Sequence, residues 1–147
     1  MRGQMFSYDI VFAVLLVTVL LVASLHAYQM KISGFYERTE KERIFALANS
    51  AISHIVVSSH GCGIAKTRNV LDENKTAELF SKIKNDYNET KKLLGIVGYE
   101  FNMSIEMIDG RTIYSAGKVG VGSVVVSTER YGLLNGSVVR VRLVVWK

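Results

Sequence analysis

The sequence has no proline, one cysteine, one tryptophan and three histidines in 147 residues. A single cysteine excludes both an internal disulfide framework and a multi-cysteine zinc site. The common signatures of phosphate binding and hydrolysis are also missing: there is no GxGxxG, no Walker A sequence, no HExxH and no GxSxG. Charge is missing from one long stretch, because His26 is the only ionisable group between Ile10 and Ala27. Setting that stretch aside leaves a more polar remainder of roughly 120 residues, enough for one small domain. What is present is a net charge of +5 and 49% hydrophobic residues, too apolar for a disordered chain. The chain reads as one export or membrane segment plus one small domain, with little room for a large buried active site. This favours a surface or structural part over an enzyme.

The apolar run IVFAVLLVTVLLVASLHA spans Ile10 to Ala27, and at about 1.5 Å per residue it reaches roughly 27 Å, just enough to cross a hydrocarbon core. A conventional signal peptide would end in small residues at −3 and −1 of its cut; Ala27 suits −1, but Leu25 is too large for −3 and His26 is out of place. Arg2 and the starting amine favour the N-terminus inside and the bulk outside, with Lys31 opposing them from the far end. Asp9 stands at the edge of the apolar run. Burying an unpaired carboxylate is expensive, so Asp9 calls for a cationic partner if buried, or else lies in the interface as a helix cap.

Nothing breaks the helix after the run, since the next glycine is Gly34. Ile44, Leu47, Ala48, Ala51, Ile52 and Ile55 then recur at three- and four-residue steps, one apolar stripe on a helix. The spacing predicts a helix from about Phe6 to Ser59, some 80 Å long. Its first half is apolar all round and its second half amphipathic. Ser59-His60-Gly61-Cys62-Gly63 ends it, and ENKTAELFSKIKNDYNETKKLLG predicts one interrupted helix or two short ones, stopping at Gly95. From Gly98 the period becomes two: Tyr99, Phe101, Met103, Ile105 and Met107 alternate with Glu100, Asn102, Ser104 and Glu106. Asp109-Gly110 predicts a two-residue hairpin loop, and Asn135-Gly136 a second. The expected fold is α+β, with the long helix packed on a head of short helices and a four-stranded antiparallel sheet.

Arg2-Gly3-Gln4, Ser7, the acid at Asp9 and the unbroken apolar helix together resemble the class III signal peptide of archaeal type IV pilin-like proteins. NVLDENK, NDYNETKKLLGIVGYEF and ERYGLLNGSVVRVRLVVW also look like the head region of small members of that family. The order of elements is similar to the pilin arrangement of one long helix and a head. The resemblance implies a leader of residues 1–3, cleaved by a prepilin peptidase between Gly3 and Gln4, and a long helix over 4–60 that spans the membrane over about 10–27 before assembly. An extracellular head over 61–147 follows. In the family an acid five residues into the mature chain contacts the amine of a neighbouring subunit, and Asp9 is the candidate. Here the acid is Asp rather than Glu and sixth from Gln4, so either the cut falls after Gln4 or the spacing is altered. The partners implied are other pilin subunits, the prepilin peptidase, an assembly ATPase and a membrane platform protein. No cofactor is implied.

Four Asn-x-Ser/Thr sequons occur, at Asn74, Asn88, Asn102 and Asn135. With seven Asn and 20 Ser plus Thr, chance supplies about one. The excess fits an exported glycoprotein domain. Asn102 and Asn135 have structural roles to fill, as an outward strand residue and a turn residue; Asn74 and Asn88 are the freer acceptors. His54, His60 and Cys62 do not make a metal site, which needs three or four converging ligands, so no metal is expected. GKVGVG, from Gly117 to Gly122, lies between strands with no helix N-terminus to hold phosphate, and reads as a flexible turn. Arg140, Arg142, Lys147, Lys82, Lys84, Lys91 and Lys92 carry much of the basic excess, but acids are interleaved with them. A solvated face is therefore expected rather than a nucleic-acid surface.

Three functions follow as expectations. The first is a subunit, major or minor, of a cell-surface filament with a role in adhesion, held in the membrane with its head outside until assembly. The second is a single-pass anchored extracellular binding domain that never polymerises. The third, an extracellular enzyme released by a cut near Ala27, lacks recognisable catalytic residues.

Overall fold

The computed structural model describes residues 2–59, 61–120 and 122–147, with side chains described from Tyr8 onward. Helix α1 runs Arg2–Val57. No proline interrupts it, and Gly34 has open space around it. Hydroxyls in the apolar run are satisfied within the helix: Thr18 Oγ1 donates to the Val14 carbonyl at 2.7 Å and Ser24 Oγ to that of Leu20 at 2.6 Å. Such back-bonding lets a polar residue sit in an apolar surface without an unpaired group.

Contacts divide the chain into two units, the first running through Thr39 and the second Glu40–Lys147. In the first, the residues of α1 from Tyr8 to Thr39 are all exposed. In the second, the helix buries Ile44, Ala48, Ala51, Ile52, Ile55 and Val56, with Leu47 partly covered. This is the stripe expected from the spacing. The helix stops at Val57, two residues before Ser59, and Gly61 at φ +66° carries the chain away from it.

Strands β1 Ala65–Thr67 and β2 Val70–Leu71 come next, then helices α2 Glu73–Asn85 and α3 Tyr87–Leu93. Strands β3 Glu100–Met107, β4 Thr112–Gly117, β5 Val125–Leu134 and β6 Ser137–Trp146 complete the head. The two short helices are those anticipated, broken at Asp86 and stopped at Gly95, whose φ is +71°. The sheet corrects the four-stranded antiparallel expectation. It has six strands in the order β1-β2-β5-β6-β3-β4, and it is mixed because β2 runs parallel to β5.

Local geometry explains the two extra strands. The chain turns back at Asn69, with φ +63°, so that β1 and β2 pair, and the Leu133 N–H donates to the Asn69 carbonyl at 2.8 Å. The Ile64 N–H bonds the Ile55 carbonyl at 2.9 Å, which fastens this segment to the end of α1. Gly63 makes the approach possible, since a Cβ there would lie 2.0 Å from the Ser58 carbonyl oxygen.

The β5–β6 hairpin turns at Asn135 (φ +50°) and Gly136 (φ +79°), the pair of left-handed residues that a two-residue type I′ turn requires. The β3–β4 hairpin differs from expectation. Met107 donates to the Arg111 carbonyl at 2.8 Å and Gly110 to that of Met107 at 3.0 Å, so the loop holds three residues, Ile108 to Gly110. Asp109 Oδ1 accepts from the Arg111 N–H at 2.9 Å, and Gly110 takes the left-handed position at φ +87°. The inner face of the sheet presents Phe101, Met103 and Ile105 of β3 with Val139, Val141, Leu143 and Val145 of β6, all fully buried. They form one core with the α1 stripe and with Leu79, Phe80 and Ile83 of α2.

Candidate functional site

The largest uncovered apolar surface is the helix itself. Among the described residues one helix is long and apolar enough to cross a membrane, and none of its apolar window is buried. That is compatible with a membrane anchor; a signal sequence or a core helix has the same length and composition. Phe12 is 69% exposed and Leu20 63%, in a run where every neighbour is also exposed. Apolar surface on this scale marks a face covered by lipid or by another chain. Asp9 is exposed at its start. Gly3 and Gln4 lie in the first turn of α1, and their side chains are outside the described residues, as are Met1 and His60.

The head sorts the four sequons into two kinds. Asn74 and Asn88 are exposed, each in the first turn of its helix, within the matching segments Asp72-Glu-Asn74-Lys-Thr76 and Asp86-Tyr-Asn88-Glu-Thr90. In both, the threonine is buried and its hydroxyl donates to the carbonyl of the aspartate four residues earlier, at 2.6 Å for Thr76 and 3.0 Å for Thr90. The threonine hydroxyl of each is therefore satisfied locally whatever the asparagine carries. Asn102 and Asn135 are engaged: the Asn102 Nδ2 donates to the Lys118 carbonyl at 3.2 Å and the Asn135 Nδ2 to Glu73 Oε2 at 2.9 Å.

Cys62 is half-buried and free, in a small hollow beside Lys75, Glu78 and Lys82. Burial pushes its thiol pKa up, against a smaller downward pull from Lys82, so the thiol rather than the reactive thiolate is favoured. His54 is exposed, and among the described residues no three of His, Cys, Asp and Glu gather to hold a metal. The glycine-rich segment has a packing role that sequence reading missed. A Cβ at Gly120 would lie 3.2 Å from Trp146 Nε1, and one at Gly122 would lie 2.3 Å from the Lys147 carbonyl oxygen, so the loop closes tightly over the last strand.

Most of the basic residues singled out in the sequence are ion-paired. Across the outer sheet face Arg140 bonds Glu106 at 2.6 Å and lies 3.8 Å from Glu129, while Arg142 is 3.5 Å from Glu129. Lys82 pairs with Glu78 and Lys147 with Glu40. The Arg140 hydrogen bond holds the Glu106 carboxyl below the usual range against desolvation. Lys147, then Tyr99, does the same for Glu40.

Two clusters were illegible in the sequence because their members are distant along the chain. Tyr99 donates to Glu40 Oε1 at 3.1 Å, the oxygen that Lys147 also holds at 2.9 Å. The Tyr87 ring stacks on Phe101 with centroids 4.9 Å apart, and its hydroxyl accepts from the Phe101 N–H at 2.8 Å. Lys91 and Lys118 lie over that ring and both reach Glu100, at 3.0 and 3.1 Å. Burial drives the Tyr87 pKa up to about 12, so it is a neutral structural phenol at any ordinary pH. Desolvation opposes the ionised form of Glu100, but its hydrogen bonds to Lys91, Tyr87 and Lys118 outweigh it and leave the pKa lowered.

No family model, curated protein or solved structure matches the chain. The geometry offers surfaces rather than a cleft: an uncovered apolar helix, a charged sheet face, and two exposed asparagines in the first turns of short helices.

Proposed function

We propose that the chain is a type IV pilin-like subunit, major or minor, of a cell-surface filament with a role in adhesion. The observation that carries this reading is the uncovered apolar surface of α1 from Ile10 onward, with the exposed acid Asp9 at its edge. In a bilayer, lipid covers that surface; on extraction, neighbouring helices of the same kind replace it. Asp9 then finds the amine of a neighbouring subunit, and neutralisation in a low-dielectric core fixes the register. The head stays outside, where Asn74 and Asn88 are exposed for glycan attachment. A prepilin peptidase processes the chain at Gly3 and Gln4, and an assembly ATPase with a membrane platform protein drives extraction. The chain acts physically and is not an enzyme.

The second reading is a plain single-pass anchor with a binding head, and the same uncovered helix supports it. Processing separates the two, because an anchor gains nothing from a cut ahead of its apolar helix. Gly3→Val is expected to leave an uncut chain in the membrane, seen as an intact mass above that of the unsubstituted protein by the whole leader and not by the glycine-to-valine difference alone. An unchanged mass, or one shifted only by that difference, contradicts the subunit reading.

A further inference from the structure

The register of the sheet gathers exposed apolar residues into one row at an end of its outer face. Val70 of β2 is level with Leu133 of β5, and Leu133 with Val138 of β6. Met107 is the partner of Val139, so Ile108, one residue on, lies beside Val138 at the start of the β3–β4 loop. Ile108 is 71% exposed, Val138 43% and Leu133 41%, and Tyr131, one level along on the same face, is 59% exposed. The neighbouring levels of that face are a charged ladder, in which Arg140 bonds Glu106 and lies near Glu129, and Arg142 lies near Glu129. A contiguous apolar row beside such a ladder marks a contact surface.

The two ends of the row carry opposite charge. Arg68 is exposed beside Val70 and Tyr131 at the β2 end and makes no ion pair among the described residues. At the other end Asp109 follows Ile108. Arg111 is turned away from the row: its Nη2 donates to Met107 Sδ at 3.0 Å, and Met107 alternates with Glu106 of the outer face. The row therefore runs basic, apolar, acidic from β2 to the β3–β4 loop, and it is complementary to its own reverse. A second copy laid face to face about a two-fold axis along the strands, between β5 and β6, sets Leu133 over Val138 of the other copy, Val70 over its Ile108 and Arg68 against its Asp109. The next levels repeat the match, because the cross-strand partners Tyr131 and Arg140, and Glu129 and Arg142, then also face each other between copies.

Charge and direction select this axis over the one that lies along the row. An axis along the row sets Asp109 on Asp109 and Arg68 on Arg68, which is repulsive. It also reverses the strands of the second copy. Glu40, where the chain enters the head, is held by Tyr99 and Lys147 at the Glu100–Trp146 end of the sheet, opposite to Ile108. An axis along the strands leaves Glu40 at the same end in both copies, as two chains side by side in one membrane require. We infer that the outer sheet faces of two heads pair about a two-fold axis along β5 and β6, with Leu133 of each over Val138 of the other and Arg68 against Asp109. The contact is isologous, so it closes as a dimer. It goes beyond the subunit reading and rests on the membrane-held stage that the subunit and anchor readings share.

Stacked sheets lie about 10 Å apart, too far for a disulfide, so the test uses a short bismaleimide cross-linker on membranes carrying the full-length chain. Cys62→Ser is the background, and each variant has one introduced cysteine, which cannot close within its own chain. Leu133→Cys and Val138→Cys, next to the axis, are expected to give the covalent dimer, while Ile108→Cys, far from the axis, and Lys84→Cys, on the exposed side of α2, give little. Adding Arg68→Glu or Asp109→Arg to Leu133→Cys is expected to lower the dimer yield about tenfold, and adding both to one chain to restore it, since each copy then offers the reversed pair. Yields from Leu133→Cys and Val138→Cys no higher than from Lys84→Cys overturn the pairing and leave the readings of function standing. A higher yield from Ile108→Cys, or no recovery in the double charge reversal, overturns the arrangement as well. A cross-linked mass that is not twice that of the chain also overturns it, showing that the row receives another protein. Absence of the chain from the membrane fraction overturns the membrane-held stage and the pairing together.

Discussion

Thr128 is an anomaly at the scale of the residue. It lies on β5 at 6% exposure, and its Oγ1 is buried without a hydrogen-bond partner among the described residues. A buried hydroxyl that has lost water and gained nothing destabilises the fold, while valine has nearly the same shape. Thr128→Val is expected to stabilise the head by about 1 kcal/mol and raise the melting temperature by a few degrees. The protein provides the probe, because its one tryptophan, Trp146, is buried in the head under Gly120 and Gly122. Thermal melts of the detergent-held full chain, followed by Trp146 fluorescence, check this. Charged residues add a pH dependence. Glu106, Glu40 and Glu100 have folded pKa values below the ordinary 4.5, so the folded state binds fewer protons than the unfolded one. Their stabilisation is complete above that value and is lost as pH falls through the depressed ones. The urea midpoint should hold from neutral pH to about pH 5 and then drop. Glu106→Gln should lower the midpoint at pH 7 and shallow the acid drop.

The two short helices share a cap pattern at the scale of the element, yet their caps are not equal. The Asp72 side chain accepts from the Lys75 N–H at 3.1 Å, whereas Asp86 makes no side-chain cap bond. Asp72→Ala should therefore cost about 1 kcal/mol of head stability, and Asp86→Ala only a few tenths, by the same fluorescence melts. What could be read of these elements followed from periodicity. The α1 stripe, the stop of the short helices at Gly95, the alternation of β3 and the Asn135-Gly136 turn are local patterns, and each stands where its pattern placed it. Strands of three and two residues are too short to show a period, so β1 and β2 were hidden, and with them the parallel pairing to β5. Asp109-Gly110 suited either loop length, and the Asp109 bond to the Arg111 N–H accompanies the longer one. The glycines of the 117–122 segment looked like freedom in sequence. In three dimensions two of them, Gly120 and Gly122, are needed for contact with the last strand.

The whole molecule combines two kinds of surface, and they call for different covers. The head closes one core from its apolar stripe and sheet face, and several of its glutamates pair with lysine or arginine. From Tyr8 to Thr39 the helix is exposed along its length, and its apolar run is compatible with membrane anchoring. The candidate site was legible to this extent because an apolar run and an adjoining acid are linear features. The clusters at Tyr87 and Glu40 were not, since each is assembled from residues far apart in the chain.

The central claim is that the helix is retained and packed in a filament after processing ahead of Asp9. The measurement that tests it most directly is the intact mass and N-terminal sequence of the chain recovered from sheared surface filaments and from the membrane. The account predicts a start at Gln4 or Met5, with the apolar helix still attached, in the filament fraction. A start at Met1 confined to the membrane, or a soluble form beginning near Tyr28, contradicts it.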